Sequence, residues 1–152
     1  MTVEIRVLQS GDDAVLIRCA PDVFDNPIDP ERTREFLEDP RHHIVVAIEE
    51  GVVVGFASGV HYLHPDKAPE LWINEVALAP THRQRVLGKA VLSTLLGVGR
   101  RLGCTAAWVL TYRDNPAAMA LYSSLGGGEG TDNSGPANAM VGYTFALSGT
   151  RG

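Results

Sequence analysis

The sequence predicts an α/β (α+β) fold: a mixed, mostly antiparallel central sheet with helices on both faces and a central parallel strand pair. In the first half, the β-branched run His43–Glu49 leads through the turn dipeptide Glu50-Gly51 into a second long apolar run, Val52–Tyr62. Two such runs joined by two residues are typical of an antiparallel hairpin. In the second half, a strand (Leu71–Leu78), a long amphipathic helix and a short apolar strand (Ala106–Thr111) follow one another. This order indicates two parallel strands with a right-handed crossover.

The other elements follow from periodicity and from capping signals. The long helix spans Leu87–Leu102, because apolar residues recur there at helical spacing and Gly103 follows. Asp29-Pro30 and Asn115-Pro116 each place a capping side chain directly before a first-turn proline, so each begins a helix. The remaining predictions are a strand at Val3–Leu8, a short helix at Asp12–Ala20, ends of the two capped helices at Pro40 and Gly126, and a final strand at Val141–Leu147.

Length and composition fit one domain spanning residues 1–152. Apolar residues make up 45% and charged residues 20%, which is ordinary for a globular protein and excludes general disorder. The net charge of −5 argues against nucleic acid as a partner, because phosphate binding needs a basic face. The chain shows no run of about 18 apolar residues and no signal-peptide pattern, so we expect a cytoplasmic protein without a membrane partner.

The segment after the strand ending at Leu78 combines positive charge with a helix start. It reads Arg83-Gln84-Arg85-Val86-Leu87-Gly88 and is followed by Lys89. The N-terminus of a helix presents free backbone N–H groups and the positive end of the helix dipole, which together bind an anion such as a pyrophosphate. Arginine and lysine side chains add positive charge at the same place. The alternative is a solvated basic loop between a strand and a helix.

A second motif, Asp114–Gly126, has the sequence DNPAAMALYSSLG. Together with the basic loop and the order of elements, it resembles the GNAT acetyltransferase superfamily. In that superfamily the loop reads (Q or R)-x-x-G-x-(G or A), and the later helix often reads N-x-x-A-x-x-L-Y-x-x-x-G. The amino-acid sequence around Asn115 is similar to that of aminoglycoside 3-N-acetyltransferases of the GNAT type. The resemblance covers nearly the whole chain and implies acetyl-CoA as co-substrate, with no metal.

The resemblance assigns the cofactor to the strand–loop–helix junction. It implies that the pantetheine arm pairs with the backbone near Val76 and Leu78, and that the pyrophosphate lies on residues 83–89. The side chain of Asn115 would face the pantetheine arm, and the alternative is that it only caps a helix. The predicted cofactor-binding residues are Val76, Ala77, Leu78, Arg83, Gln84, Arg85, Val86, Leu87, Gly88, Lys89, Asn115 and Ala118.

Val86 stands where the loop of the resembled superfamily has its first glycine. Glycine permits a positive φ and a close approach of the backbone to phosphate. If residue 86 adopts the right-handed helical conformation, the cradle of N–H groups is kept. If the loop needs a positive φ there, valine disfavours it.

Two residues are candidates for proton transfer. Glu75 lies in the strand LWINEVAL, where alternation puts it on one face with Ile73 and Ala77, and a carboxylate in a central strand is costly to bury without a role. As a general base it would take the proton of the attacking ammonium, and the alternative is a structural salt bridge with an arginine. The resemblance puts the Tyr122 hydroxyl at the sulfur of the cofactor, where it would protonate the departing thiolate. The alternative for Tyr122 is core packing.

The side of the acceptor is predicted from acidic residues. Residues 22–39 hold seven acids against two bases, and an acidic wall would attract a polyamine or an aminoglycoside. The alternative is a solvated helical face. Asn74, which alternation puts with Trp72 and Val76 on the face opposite Glu75, is a further candidate. The predicted substrate-binding residues are Asp25, Asn74 and Glu75.

The predicted function is transfer of acetyl from acetyl-CoA to a primary amine, above all to the 3-N position of an aminoglycoside. A protein N-terminus, a polyamine or a small metabolite amine are the alternative acceptors. A non-catalytic coenzyme A-binding or regulatory module is the alternative of another class. The expected partner is a small, polycationic amine, and a homodimer stays open by analogy with similar proteins. The pair His61-x-x-His64 lacks further ligands at suitable spacing, so no metal site is predicted.

Overall fold

The computed structural model of the chain describes residues 2–83, 85–129 and 143–147, with Arg85 described by its backbone alone. Five strands form one sheet in the order β1-β2-β3-β4-β5, with neighbours antiparallel except for the parallel pair β4 and β5. The predicted mixed sheet with a parallel pair is therefore confirmed. The strands are β1 (Val3–Val7), β2 (His42–Glu49), β3 (Val52–Tyr62), β4 (Glu70–Leu78) and β5 (Ala106–Trp108).

Three α-helices and two short 3₁₀ helices complete the described residues. They are α1 (Pro30–Glu38), α2 (Arg85–Arg101), α3 (Pro116–Ser124) and the 3₁₀ helices Asp13–Ile17 and Pro80–His82. The helix predicted over Asp12–Ala20 is thus a shorter 3₁₀ helix. No helix in the described ranges is long and apolar enough to cross a membrane.

Local signals set the ends of these elements as predicted. The Asp29 side chain accepts hydrogen bonds from the backbone N–H groups of Glu31 and Arg32 at 2.9 Å and 3.3 Å, which caps α1. Glu50 and Gly51 both have positive φ, 51° and 78°, as the tight turn between β2 and β3 requires. The capping and hairpin predictions are therefore confirmed.

Helices cover both faces of the sheet. On one face, the fully buried Leu95 of α2 lies beside Gly59, where an added Cβ would be 3.5 Å from its Cδ2 atom. On the other face, Phe56 of β3 stacks on Phe24 with ring centroids 4.2 Å apart. Phe36 of α1 packs near β2 on this second face. The core is one continuous cluster of buried side chains, mainly valine, isoleucine and leucine residues of β2, β3 and α2.

Two strand predictions in the C-terminal third are wrong in extent. The strand expected over Ala106–Thr111 ends at Trp108, and its side chains are exposed rather than covered on both faces. Of the strand expected over Val141–Leu147, Val141 lies outside the described residues, and 143–147 has no regular secondary structure. An apolar alternation makes a strand only where a neighbouring strand accepts its backbone hydrogen bonds, and residues 143–147 pair with no described strand.

Candidate active site

A β-bulge at Asn74 reorients the middle of β4. Ser58 of β3 pairs with Glu75, but the next residue, Gly59, pairs with Ile73, so Asn74 is an extra residue on β4. Because paired residues share a face and neighbours on β3 point to opposite faces, Glu75 and Ile73 lie on opposite faces. The predicted shared face of Glu75 and Ile73 is therefore wrong, whereas Ala77 does share the face of Glu75.

The same bulge corrects the prediction for Asn74. Alternation put Asn74 on one face with Trp72 and Val76, but Trp72 pairs with Val60 and Val76 pairs with Ala57. These partners lie on opposite faces of β3, so Trp72 and Val76 also face opposite sides. Asn74 is exposed at the bulge itself.

Strands β4 and β5 part directly before the bulge. Their parallel pairing ends at Trp72 and Trp108. From Ile73 to Leu78, β4 therefore pairs with β3 on one edge, and its other edge, which faces β5, has no strand partner among the described residues. The unpaired edge presents free backbone N–H and C=O groups beside the predicted cofactor positions Val76, Ala77 and Leu78, which are all half-buried. Such an edge accepts an extended ligand as an added strand.

Glu75 lies on the face that carries Phe56 and Phe24. Its pKa is raised above the ordinary value, first because the surrounding protein removes water from the carboxylate, and second because the carboxylate of Asp25 repels a further negative charge. Glu75 forms no salt bridge with the described side chains, which leaves the predicted alternative of a structural arginine partner without support.

Asp25 borders a groove of about 560 Å³ between the 3₁₀ helix Asp13–Ile17 and the start of α1. The groove has an acidic rim and an apolar wall that includes Phe24 and Ile28. Of the acids in residues 22–39, Asp29 caps α1 and Asp39 pairs with Arg41, so they serve local structure. Asp25 is the acid of that segment that the structure brings towards Glu75.

The N-terminus of α2 directly follows β4 and the 3₁₀ helix Pro80–His82. Arg83 is exposed just before α2, Gln84 lies outside the described residues, and Arg85 is the first helical residue. Val86 is the second residue of α2, so its backbone is right-handed helical, and its side chain is 77% exposed. The condition under which valine keeps the cradle of N–H groups is therefore met.

Gly88 and Leu87 are buried where α2 meets α3. An added Cβ on Gly88 would lie 3.5 Å from Leu121 of α3 and 3.7 Å from Leu78 of β4. The small residue thus lets these three elements meet beside the helix N-terminus. Lys89, one residue further, is half-buried.

The predicted residues of α3 lie at its first two turns. Asn115 is the N-cap of α3, and its Oδ1 atom accepts a hydrogen bond from the backbone N–H of Ala118 at 3.1 Å. The capping alternative for Asn115 is therefore confirmed, and the exposed position of the residue leaves its amide N–H₂ group accessible.

Tyr122 of α3 lines a cavity of about 280 Å³ between α2, α3 and β5. Ile73 and Val109, the first residues after the pairing of β4 with β5 ends, line the same cavity. Burial raises the pKa of the Tyr122 phenol, so the hydroxyl keeps its proton well above neutral pH. The structure thus places the Tyr122 side chain at the cavity beside the point where the two strands part.

A contact that the sequence patterns did not indicate holds the segment before α2. The Nε2–H group of His82 donates a hydrogen bond to Glu49 Oε1 at 3.0 Å, and its Nδ1 atom lies 2.8 Å from Thr81 Oγ1. Glu49 and His82 are 33 residues apart, and no local motif links them. The contact ties the end of β2 to the basic loop.

The described residues contain no group of three histidine, cysteine, aspartate or glutamate side chains that could hold a metal ion. The histidines instead contact one another or an acid. His43 Nε2 lies 2.8 Å from His61 Nδ1, and His64 Nε2 lies 2.6 Å from Glu70 Oε2.

A fold with a bulged β4, a parted parallel pair and a basic helix N-terminus at the end of β4 defines an acyltransferase-like class of site. The model of the acetyltransferase (GNAT) family matches residues 14–126 of this chain. The match covers well over half of the chain, so the protein belongs to the GNAT acetyltransferase family. The resemblance stated from the two motifs is confirmed at the level of the family.

Two curated relatives are similar in sequence. L-2,4-diaminobutyric acid acetyltransferase of Nocardia farcinica is 32% identical over 127 residues, which cover 82% of this chain and 64% of the relative. N-alpha-acetyltransferase RimI of Mycobacterium tuberculosis is 34% identical over 104 residues, which cover 68% of this chain and 63% of the relative. The matched region thus spans a little under two thirds of the length of these relatives.

Solved structures with the same fold include aminoglycoside acetyltransferases. One, from an uncultured soil metagenomic sample, has a TM-score of 0.75 and 21% identity and covers 97% of this chain and 100% of its own. Another, AAC(6')-Iy in complex with a bisubstrate analogue of coenzyme A, has a TM-score of 0.74 and 18% identity and covers 97% and 99%. At this identity the likeness establishes the shared fold.

Proposed function

We propose that this chain is an acetyl-CoA-dependent N-acetyltransferase whose acceptor is a primary amine on a small cationic molecule. The observation that supports it best is that, among the described residues, no strand pairs with the edge of β4 facing β5 beyond Trp72. This edge lies near the start of α2, and Ile73 on it lines the same cavity as Tyr122. An aminoglycoside acetylated at the 3-N position is the acceptor that the spelling of the Asn115 motif favours.

The cofactor would bind along three neighbouring elements. The pantetheine arm would extend the sheet along the free edge of β4, with its amides hydrogen-bonded to the backbone near Val76 and Leu78. The pyrophosphate would lie on the N–H groups at the start of α2, where Arg83, Arg85 and Lys89 add positive charge. The helical backbone of Val86 supports this arrangement, since no positive φ is needed there.

The transfer itself would proceed in a ternary complex without a covalent enzyme intermediate. Glu75 takes a proton from the acceptor ammonium, directly or through water, and the free amine attacks the thioester carbonyl carbon. A backbone N–H near Val76 stabilises the oxyanion. The carbon–sulfur bond then breaks, and Tyr122 donates its proton to the departing thiolate. The amide nitrogen loses its second proton to the Tyr122 phenolate, directly or through water, which restores the phenol.

The negative charges on the face of Glu75 support a cationic acceptor. The paired carboxylates of Asp25 and Glu75 attract and hold an ammonium group. The two curated relatives are named for diaminobutyric acid and for N-alpha amines, which keeps a small amino acid and a protein N-terminus as alternative acceptors. Homodimer formation and a cytoplasmic location remain predictions from the sequence.

The test combines cofactor binding with a panel of acceptors. Thiol release from acetyl-CoA is measured with kanamycin or gentamicin, L-2,4-diaminobutyric acid, a polyamine and a short peptide with a free N-terminus. We expect coenzyme A to bind in calorimetry and at least one amine to be acetylated, with mass spectrometry locating the acetyl group on nitrogen. Binding of coenzyme A without turnover of any amine would favour the non-catalytic coenzyme A-binding module, and no binding at millimolar cofactor would favour a regulatory module that does not use coenzyme A.

A further inference from the structure

The two tryptophans of the chain, Trp72 and Trp108, lie side by side at the last register of the parallel pair β4 and β5. Their ring centroids are 5.5 Å apart with planes at 81°, an edge-to-face contact. Trp72 is half-buried and Trp108 is 38% exposed. The pair therefore lies at the point where the two strands separate. Part of its ring surface is exposed and accessible to a ligand.

Neighbouring polar groups hold these rings in place. The Nε1–H group of Trp108 donates a hydrogen bond to the Tyr62 hydroxyl at 2.6 Å. The Tyr62 ring contacts His64 edge-on at 5.1 Å between centroids, and His64 in turn lies 2.6 Å from Glu70. Because the hydrogen bond to Tyr62 already fixes the Trp108 ring, a ligand that binds its π face does not have to order the side chain first.

The strand register puts this aromatic pair on the face of Glu75. Trp72 pairs with Val60 and Glu75 pairs with Ser58, two residues apart on β3, so both point to the same side of the sheet. Two to three residues of extended chain separate Trp72 from Glu75, which amounts to roughly 7–10 Å at about 3.3 Å per residue. Asp25 approaches the same face closely enough to raise the pKa of Glu75.

We propose that Trp72 and Trp108 bind a second, non-reacting ammonium group of the acceptor, so that the site selects diamines and polyamines over monoamines. The proposal rests on the proposed function and names the acceptor class of the same site. Indole faces attract organic cations, and tryptophan does so more strongly than other aromatic residues. The carboxylates of Glu75 and Asp25 hold the reacting nitrogen, and the aromatic pair receives the distal cation one short methylene chain away.

Charge complementarity identifies the occupant of this surface. The carboxylates of Glu75 and Asp25 beside the indoles would not stabilise a neutral apolar ligand, and they would repel an anion. The net charge of −5 acts in the same direction. The competing interpretation is that the tryptophans only stabilise the end of the β4–β5 pairing.

The experiment uses two acceptors that differ by one ammonium group, hexamethylenediamine and n-hexylamine, at matched ionic strength. Because both tryptophans belong to the pair, intrinsic tryptophan fluorescence reports on this surface alone. We expect a saturable change in emission with the diamine in the presence of coenzyme A, at concentrations at which the monoamine causes none. Equal responses to the two amines would overturn the proposal.

Variants separate recognition from folding. Trp72→Leu is expected to raise the KM of the diamine about threefold to thirtyfold and to change that of the monoamine far less, with the KM of acetyl-CoA unchanged. Trp72→Phe keeps a π face and should retain most of the preference, and its thermal unfolding checks that the sheet is intact. An equal loss for both amines in Trp72→Leu, or loss of the preference in a stable Trp72→Phe protein, would leave the pair a structural role only.

The two proposals fail in different ways. Diamine-dependent fluorescence without any acetyl transfer would refute the acetyltransferase function and keep the aromatic cation site. Acetyl transfer with no preference for the diamine would refute the cation site and keep the function.

Discussion

Glu75 and Tyr122 both hold their protons more tightly than free side chains do. Glu75 is exposed, but the surrounding protein removes part of the water around its carboxylate and so raises its pKa, which the neighbouring Asp25 carboxylate raises further. Burial raises the pKa of Tyr122. A raised pKa makes a carboxylate a stronger base and keeps a phenol protonated as a donor. The two side chains proposed as proton acceptor and proton donor thus lie in different surroundings, Glu75 on the face of Phe56 and Tyr122 at the cavity between α2, α3 and β5.

The coupling of Asp25 to Glu75 can be tested by pH dependence. Asp25→Asn removes a negative charge, so the pKa of Glu75 should fall and the acid limb of the kcat/KM profile should move to lower pH. Asp13→Asn, which alters another acid of the same groove, is the matched control and should leave the limb in place. A limb that stays fixed in Asp25→Asn would show that Glu75 is not the group that the profile reports.

Glu75→Gln should separate catalysis from stability. Loss of a general base predicts a fall in kcat of about 100-fold or more. Since the folded-state pKa of Glu75 is raised, its ionised form destabilises the fold at pH values above that pKa, and this penalty vanishes below the unfolded-state pKa. Urea unfolding should find the variant at least as stable as the native chain at neutral pH, with the two converging at low pH. A less stable variant at neutral pH would indicate a structural role for the carboxylate.

Tyr122→Phe removes one hydroxyl from a half-buried ring and keeps its packing. We expect kcat to fall by about 100-fold or more, because the thiolate loses its proton donor, while the dissociation constant of coenzyme A changes less than about threefold. Stopped-flow thiol release and calorimetry measure the two quantities. Unchanged turnover would remove Tyr122 from the mechanism.

At the scale of single elements, the start of α2 decides whether a valine can replace a loop glycine. Val86 is helical and its side chain is exposed to solvent, so the valine requires no positive φ and is compatible with free backbone N–H groups in the first turn of α2. Gly88, in contrast, is buried against Leu121 and Leu78, and its small size belongs to helix packing. Glycine is thus not needed at position 86 for its backbone conformation, whereas at position 88 it is needed for its small size.

Introducing the glycine of the family pattern at position 86 should therefore not improve the affinity for acetyl-CoA. Val86→Gly is expected to change the KM of acetyl-CoA by less than about threefold and to lower the thermal midpoint slightly, because glycine is a poorer helix former by up to about 1 kcal/mol. Gly88→Leu is the contrasting variant: its side chain has to displace Leu121, which should weaken cofactor binding. A tenfold gain in affinity for Val86→Gly would mean that the valine obstructs the phosphate.

At the scale of the whole molecule, the bulge at Asn74 links the sheet to the site. It turns Glu75 to the face of Asp25, and it lies next to the point where, in the described part of the chain, the pairing of β4 with β5 ends at Trp72. Gly59 of β3 permits this geometry, because an added Cβ would lie 2.7 Å from the carbonyl oxygen of Trp72. A close approach between backbones of neighbouring strands is a common reason for glycine in a strand.

Gly59→Ala should consequently destabilise the fold and impair the site together. Overpacking of this kind predicts a loss of about 1–3 kcal/mol in the free energy of unfolding, with lower acetyl transfer in the protein that remains folded. Gly97→Ala in α2 is the control, since its Cβ would meet only the flexible end of Arg101 at 3.6 Å and should stabilise the helix. Equal stability of the two variants would show that the bulge tolerates a shift.

The sequence by itself determined the order of elements, the hairpin turn and the capped starts of α1 and α3, and two motifs identified the family. These features depend on contacts within a few residues, such as the Asn115 cap, so a local pattern specifies them. Strand alternation failed at Glu75 because a bulge depends on the pairing with β3, and it failed over 143–147 because a strand needs a partner.

Only the tertiary structure decided which distant residues meet at the site. The approach of Asp25 to Glu75, the Glu49–His82 contact and the Trp72–Trp108 pair join segments that are 33 to 50 residues apart along the chain. Such contacts follow from strand register and from helix placement, which no short motif records. The positive charge and the helix start of the basic loop could therefore be predicted from the sequence, whereas the sheet faces on which Glu75 and the two tryptophans lie required the fold.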